Sequence, residues 1–277
     1  MATKAEPVRE PKRALTRYQE FRTKAEQGDA NAQFNLADCY RVGEGVREDA
    51  NEALIWYRKA AEQGHAPAQY TLGAVIGNGM GVPKDEVEAV KWFRKSAEQD
   101  YDMALAVLGT VYLEGRGVQK DEGEAAKWFR KAADKGVAEA QGTLGIMYAK
   151  GEGVAKDEVE AVKWFRKAAE LGDRVAQYNL GIVLQDGLGV PKNEDESLKW
   201  FRKSADGGYD LAQSKLGLKY ALGEGVLKDE IEAYKWWLLA GAQGNKYAKT
   251  NYAVLERDFT PAQRAEGQRM AREFRPR

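Results

Sequence analysis

The sequence predicts an all-α protein, an α/α solenoid of about six 36-residue helical-hairpin repeats with partial terminal capping units. Two observations carry that prediction. Trp56, Trp92, Trp128, Trp164, Trp200 and Trp236 stand at one constant interval along the 277 residues, and a fixed period of 20 to 50 residues marks one supersecondary unit copied in tandem. Within each period, two stretches of helix-spaced apolar residues are separated by Gly-x-Gly-Val, a helix stop and not a strand signal.

The elements follow in chain order. Residues 12–28 carry Phe21, Ala25 and Gly28 in register with the second helix of the repeat, with Glu20 where the tryptophan should stand. A partial opening helix is therefore expected. Each full copy then begins with a helix whose buried stripe reads, for example, Ala140, Leu144, Met147 and Tyr148. It ends at Gly43, Gly79, Gly115, Gly151, Gly187 or Gly223, residues suited to a left-handed cap.

The second helix opens on Asp49, Asp85, Asp121, Asp157, Asn193 or Asp229, each followed three residues later by glutamate. That pairing caps free amides and complements the helix dipole. Alanine, tryptophan and Phe/Tyr supply its buried face, and five copies close on Arg-Lys. The last copy has Leu238-Leu239 there, and apolar residues at charged positions need a cover. Phe259, Met270 and Phe274, on a helix starting at Thr260-Pro261, are the expected cover, with self-association through this end as the alternative. Residues 245–256 match a first helix through Ala248, Tyr252 and Ala253. The organisation is thus a flexible tail over 1–11, a solenoid over 12–256 and a capping helix over 257–277, with about fifteen helices.

Composition narrows the function classes. The 43 basic and 43 acidic residues cancel, so neither nucleic acid nor an anionic membrane is indicated as partner. No segment has the roughly 18 apolar residues of a membrane span. The single cysteine, Cys39, excludes an intrachain disulfide framework. A cytoplasmic location is expected, or a periplasmic one if a leader has been removed.

No catalytic, metal or cofactor residue is expected, and no cofactor. The glycine turns follow helices and lack a P-loop lysine-serine pair, so they read as structural. His65 is the sole histidine and has no metal-ligand companions. Cys39 stands in an apolar column with Val75, Val111, Met147 and Val183, as a small core residue would. The tryptophans share an apolar stripe, so they read as core and not as a base-stacking ladder. Trp128→Ala is then expected to cost about 3–5 kcal/mol.

The A-x-x-x-L-G-x-x-Y pattern (Ala140, Leu144, Gly145, Tyr148), the G-x-G-V turn and the D-x-x-E-A-x-x-W-[FY]-R-K-A-A helix resemble the Sel-one-like repeat (SLR) family, relatives of the tetratricopeptide repeats. The resemblance covers roughly residues 20–256. It implies a right-handed superhelix with a concave groove lined by first helices, and work as an adaptor or scaffold, frequently in bacteria. It further implies that groove positions are the second, fifth, ninth, twelfth and thirteenth of each first helix. Columns that vary between copies there are free to encode a partner protein or peptide: Phe34, Asp38, Arg41, Tyr70, Ala74, Thr110, Ile146, Tyr178, Ile182 and Leu218. Tyr70 and Tyr178 are expected to be exposed, whereas the ninth-position isoleucines are left open between exposure and cover by the next repeat. The expected function is non-enzymatic partner binding by a monomer. The alternative is an enzyme of cell-wall or small-molecule chemistry on the same scaffold.

Overall fold

The structure, a computed structural model, describes residues 10–276, with side chains from Ala14 onward. Residues 1–9, most of the expected tail, lie outside the described residues. The described residues form fifteen α-helices and no strand, so the chain is a helical solenoid. The first helices are α2 (Ala30–Val42), α4 (Ala66–Asn78), α6 (Asp102–Glu114), α8 (Ala138–Lys150), α10 (Arg174–Asp186), α12 (Asp210–Leu222) and α14 (Lys246–Asp258). Alternating with them are α1 (Glu10–Glu26), α3 (Ala50–Glu62), α5 (Glu86–Ala97), α7 (Glu122–Asp134), α9 (Glu158–Glu170), α11 (Glu194–Asp206), α13 (Glu230–Ala242) and α15 (Pro261–Glu273). The contacts divide the chain into two compact units, up to Lys135 and from Gly136 onward. In both, a helix packs on its sequence neighbours, and α15 returns onto α13.

The turn between the two helices of a copy uses two glycines. Gly43 has φ 72° and Gly45 φ 73°, a left-handed backbone that a β-carbon disfavours. The next helix is capped as its acid predicts: Asp85, Asp121 and Asp157 each accept from the amide three residues on at 2.9 Å. The cap-box glutamate side chains take other partners. Glu88, Glu160 and Glu196 accept from the indoles of Trp92, Trp164 and Trp200.

Inside five of the six hairpins a glycine lets the helices meet, and the first has Ala37 at that position. A Cβ on Gly145 would stand 2.6 Å from the Phe165 ring, and one on Gly181 2.7 Å from Phe201. Between hairpins the tryptophan does the joining. Trp200 on α11 sits in one buried cluster with Ala161, Val162, Phe165 and Ala168 of α9 and with Ala176, Leu180, Val183 and Leu184 of α10. The lysine three residues on covers its ring: Lys59, Lys95, Lys131, Lys167 and Lys203 lie 3.9–4.5 Å from the tryptophan centroids. Such cation–π contacts add to burial. Trp92, Trp164, Trp200 and Trp236 are buried, as the stripe predicts. Trp56 and Trp128 are only half-buried, so a cost below the 3–5 kcal/mol of full burial follows for Trp128→Ala.

Polar residues also repeat for architectural reasons. Gln33, Gln69, Gln177 and Gln213 are buried, and each donates to a carbonyl eight residues back at 3.1–3.2 Å. They satisfy the end of the preceding second helix, as buried polar groups must. The loop lysines form a periodic series of ion pairs: Lys84–Glu86, Lys120–Glu122, Lys156–Glu158, Lys192–Glu194 and Lys228–Glu230 at 2.7–2.8 Å. They are solvated charges already engaged.

Candidate functional site

The first helices of each unit carry the residues that vary between copies. In the first unit, the fifth position of α2 holds Phe34, half-buried between the Tyr57 ring at 5.6 Å and the His65 ring at 5.0 Å. Tyr70 lies likewise against Phe93 at 5.9 Å and Tyr101 at 5.6 Å. In the second unit Tyr178 repeats the arrangement with Phe201 at 5.7 Å and Tyr209 at 5.5 Å. Tyr70 and Tyr178 are therefore not open rings, contrary to expectation. Each is half-buried, tying its own hairpin to the residue before the next first helix, and burial raises the Tyr178 phenol pKa. The signal was in the columns: an aromatic fifth position is followed by His65, Tyr101 or Tyr209, whereas Ala106, Gly142 and Ser214 are followed by Val137, Asp173 and Asn245.

His65 caps α4 through Nδ1, which accepts from the Ala68 amide at 3.2 Å, while Nε2 lies 3.0 Å from Asn31 Oδ1. That assigns the proton to Nε2. Burial pushes the imidazole pKa below its ordinary value. The stability this cap supplies is full above the unfolded histidine pKa, about 6.5, and is lost as pH falls through the lower folded value. Thermal melts between pH 7.5 and 5 should show that loss, and His65→Asn, the residue used at Asn245, should remove this contribution. Equal pH profiles for the two proteins would refute the assignment.

A polar group in the first copy breaks the period. Asp38 Oδ1 accepts from the Tyr57 hydroxyl at 2.6 Å and from Arg41 Nη2 at 2.8 Å, and Arg41 Nε also donates to the Tyr57 oxygen at 3.1 Å. Each residue is exceptional in its column: the other copies place Phe or Trp opposite Tyr57, and no other acid at the ninth position. Burial, then Asp38, raises the Tyr57 pKa. The phenol is thus a fixed donor and not a base, and the cluster's effect is to orient Arg41. Column reading singled out Asp38 and Arg41 but missed Tyr57, which lies on the second helix.

Further along the first unit, Ala74 and Thr110 are half-exposed. Ala74 lines a recess of about 160 Å³ together with Tyr70, Gly77, Phe93, Val107 and Val111. In the second unit the ninth positions turn apolar. Ile146 and Ile182 are half-exposed, Leu218 is 38% exposed and Val254 51%. Leu211, Leu222 and Tyr247 are exposed at second and thirteenth positions of α12 and α14.

Cys39 is buried, as its apolar column predicts. Lys219 occupies the same column and was missed. It is buried, and desolvation lowers its ammonium pKa. Among the described residues no three His, Cys, Asp or Glu side chains are grouped to hold a metal, and no helix is long and apolar enough to cross a membrane.

The Sel1 repeat family model matches residues 30–65, 66–101, 102–137, 138–173, 174–209 and 210–245. Among solved structures, a protective antigen of uropathogenic Escherichia coli strains with an SLR fold is 38% identical, with TM-score 0.83 over 92% of this chain. The match spans 56% of that protein's length. A Sel1 repeat protein from Oxalobacter formigenes is 36% identical with TM-score 0.72, covering 84% of this chain and 97% of that one. Comparison with curated proteins gave no match.

Proposed function

This chain belongs to the Sel1-repeat family, whose members are in general non-enzymatic scaffolds for protein–protein interaction, and from that premise we propose that it binds a protein or peptide segment along its first-helix face. The observation that carries the reading is the apolar run Ile146, Ile182, Leu218 and Val254 on consecutive first helices, widened by Leu211, Leu222 and Tyr247. The columns constant across copies are accounted for by packing, but exposed leucines on α12 are not. Contiguous apolar surface of this kind on a soluble protein marks recognition. Exposed Lys246 and Arg257 on α14 favour a segment whose apolar residues have acidic neighbours.

The test is a triple variant, Leu211→Ser/Leu218→Ser/Leu222→Ser, compared with wild type in affinity capture from a bacterial lysate. These side chains are exposed, so the melt should stay within about 1 kcal/mol of wild type. The variant is expected to lose the proteins that wild type retains. Equal retention would remove the first-helix face as the binding surface.

A further inference from the structure

The recess in the first unit is a hole written into the sequence. It lies at the ninth and twelfth positions of α4, occupied by Ala74 and Gly77. The same two positions elsewhere read Asp38/Arg41, Thr110/Leu113, Ile146/Ala149, Ile182/Gln185 and Leu218/Ala221. Every other copy places more side-chain volume there. The equivalents Leu113, Ala149 and Ala221 carry side chains; at Gly77 a β-carbon would come within 3.1 Å of the Ala89 Cβ, so this glycine also serves the close approach of α4 to α5.

Its size and walls define the occupant. The volume is about 160 Å³, with Asn78, Glu86 and Arg116 adding polar groups to an otherwise apolar lining, and a cavity of about 150 Å³ is large enough for benzene. Tyr70 and Phe93 form two walls, their rings 5.9 Å apart and tilted by 47°, with Val107 and Val111 opposite. Aromatic walls of this kind favour a third ring, edge to face or offset, over an aliphatic group of equal area. The rim is electrically balanced: Glu86 is held by Lys84 at 2.7 Å and Arg116 by Glu114 at 2.6 Å. A charged group would find no unmatched counter-ion there.

We propose that this recess takes the phenyl ring of a phenylalanine in a peptide segment of a protein partner. The inference rests on the reading of this chain as a binder of protein or peptide segments. A single aromatic anchored in a pocket is how such interfaces concentrate their affinity.

The full chain titrated with N-acetyl-phenylalanine amide, followed by methyl NMR of the valines, should show shifts at Val107 and Val111 with millimolar affinity. N-acetyl-leucine amide should bind several-fold more weakly. Ala74→Ile/Gly77→Leu fills the hole with residues the chain itself uses at those positions, and should weaken the phenylalanine probe about tenfold or more while keeping the helical circular dichroism. Ala74→Ile alone, with a smaller filling and no new β-carbon against Ala89, should weaken it less and serves if the double variant does not fold. No shift in wild type, equal binding by the filled variant, or equal affinity for the leucine probe would each overturn the proposal. The small probe reads the recess alone and the serine variant of α12 reads the apolar face, so the two failures can be told apart.

Discussion

Trp200→Ala is expected to destabilise the protein by about 3–5 kcal/mol, the range for truncating a well-packed core aromatic. The ring is 8% exposed and closes one buried cluster with α9 and α10. No second layer of core lies behind it, because a solenoid repeat contacts only its neighbours. The vacated volume therefore sits between two hairpins, where loss of contact also weakens cooperativity. Urea unfolding followed by circular dichroism should show a lower midpoint and a broader transition than wild type. Trp128→Ala, at a half-buried ring, should move the midpoint less. Equal effects of the two substitutions would mean that burial does not set the tryptophan contribution.

Removing residues 258–277 is the second large effect. Phe274 packs on Trp236 at 5.6 Å, and Phe259 on Tyr234 at 5.4 Å. Gly267 allows α15 to seat, since a Cβ there would stand 2.5 Å from the Tyr234 ring. Leu239 belongs to the same cluster as Phe274 and Trp236. Losing the two phenylalanines alone forfeits about 3 kcal/mol of burial, and the deletion bares Tyr234, Trp236 and Leu239 together. Sedimentation velocity of the truncated protein should show a larger assembly than that of the full chain. A truncated protein with the same sedimentation behaviour and an unchanged melt would show that α15 is not a cap.

Several features were legible in the sequence because they are local or periodic. The acid at each second-helix start and the glycine turn read out as the structure shows them, and of the expected cover for Leu238-Leu239, Phe274 shares a cluster with Leu239 while Phe259 packs on Tyr234. Thr260-Pro261 does open a capped helix, with Thr260 and Gln263 completing a capping box. Contacts that join residues on different helices were less legible. Tyr57 and Asp38 differ from their columns separately, and only the hairpin brings the hydroxyl within 2.6 Å of the carboxylate. Tyr70 and Tyr178 were misjudged for the same reason, since the rings that half-cover them belong to the second helix and to the following repeat.

The sequence by itself therefore determined the helices and the hairpin unit. Those depend on capping, on glycine backbone freedom and on an apolar period of 3.6, all readable within a window of a few turns. Tertiary structure alone decided which variable side chains face solvent. Exposure depends on the volume of residues that neighbouring helices place alongside. Ala74 and Gly77 are two small letters in their columns, and only the packing of α4 against α5 and α6 turns them into a space for a ring.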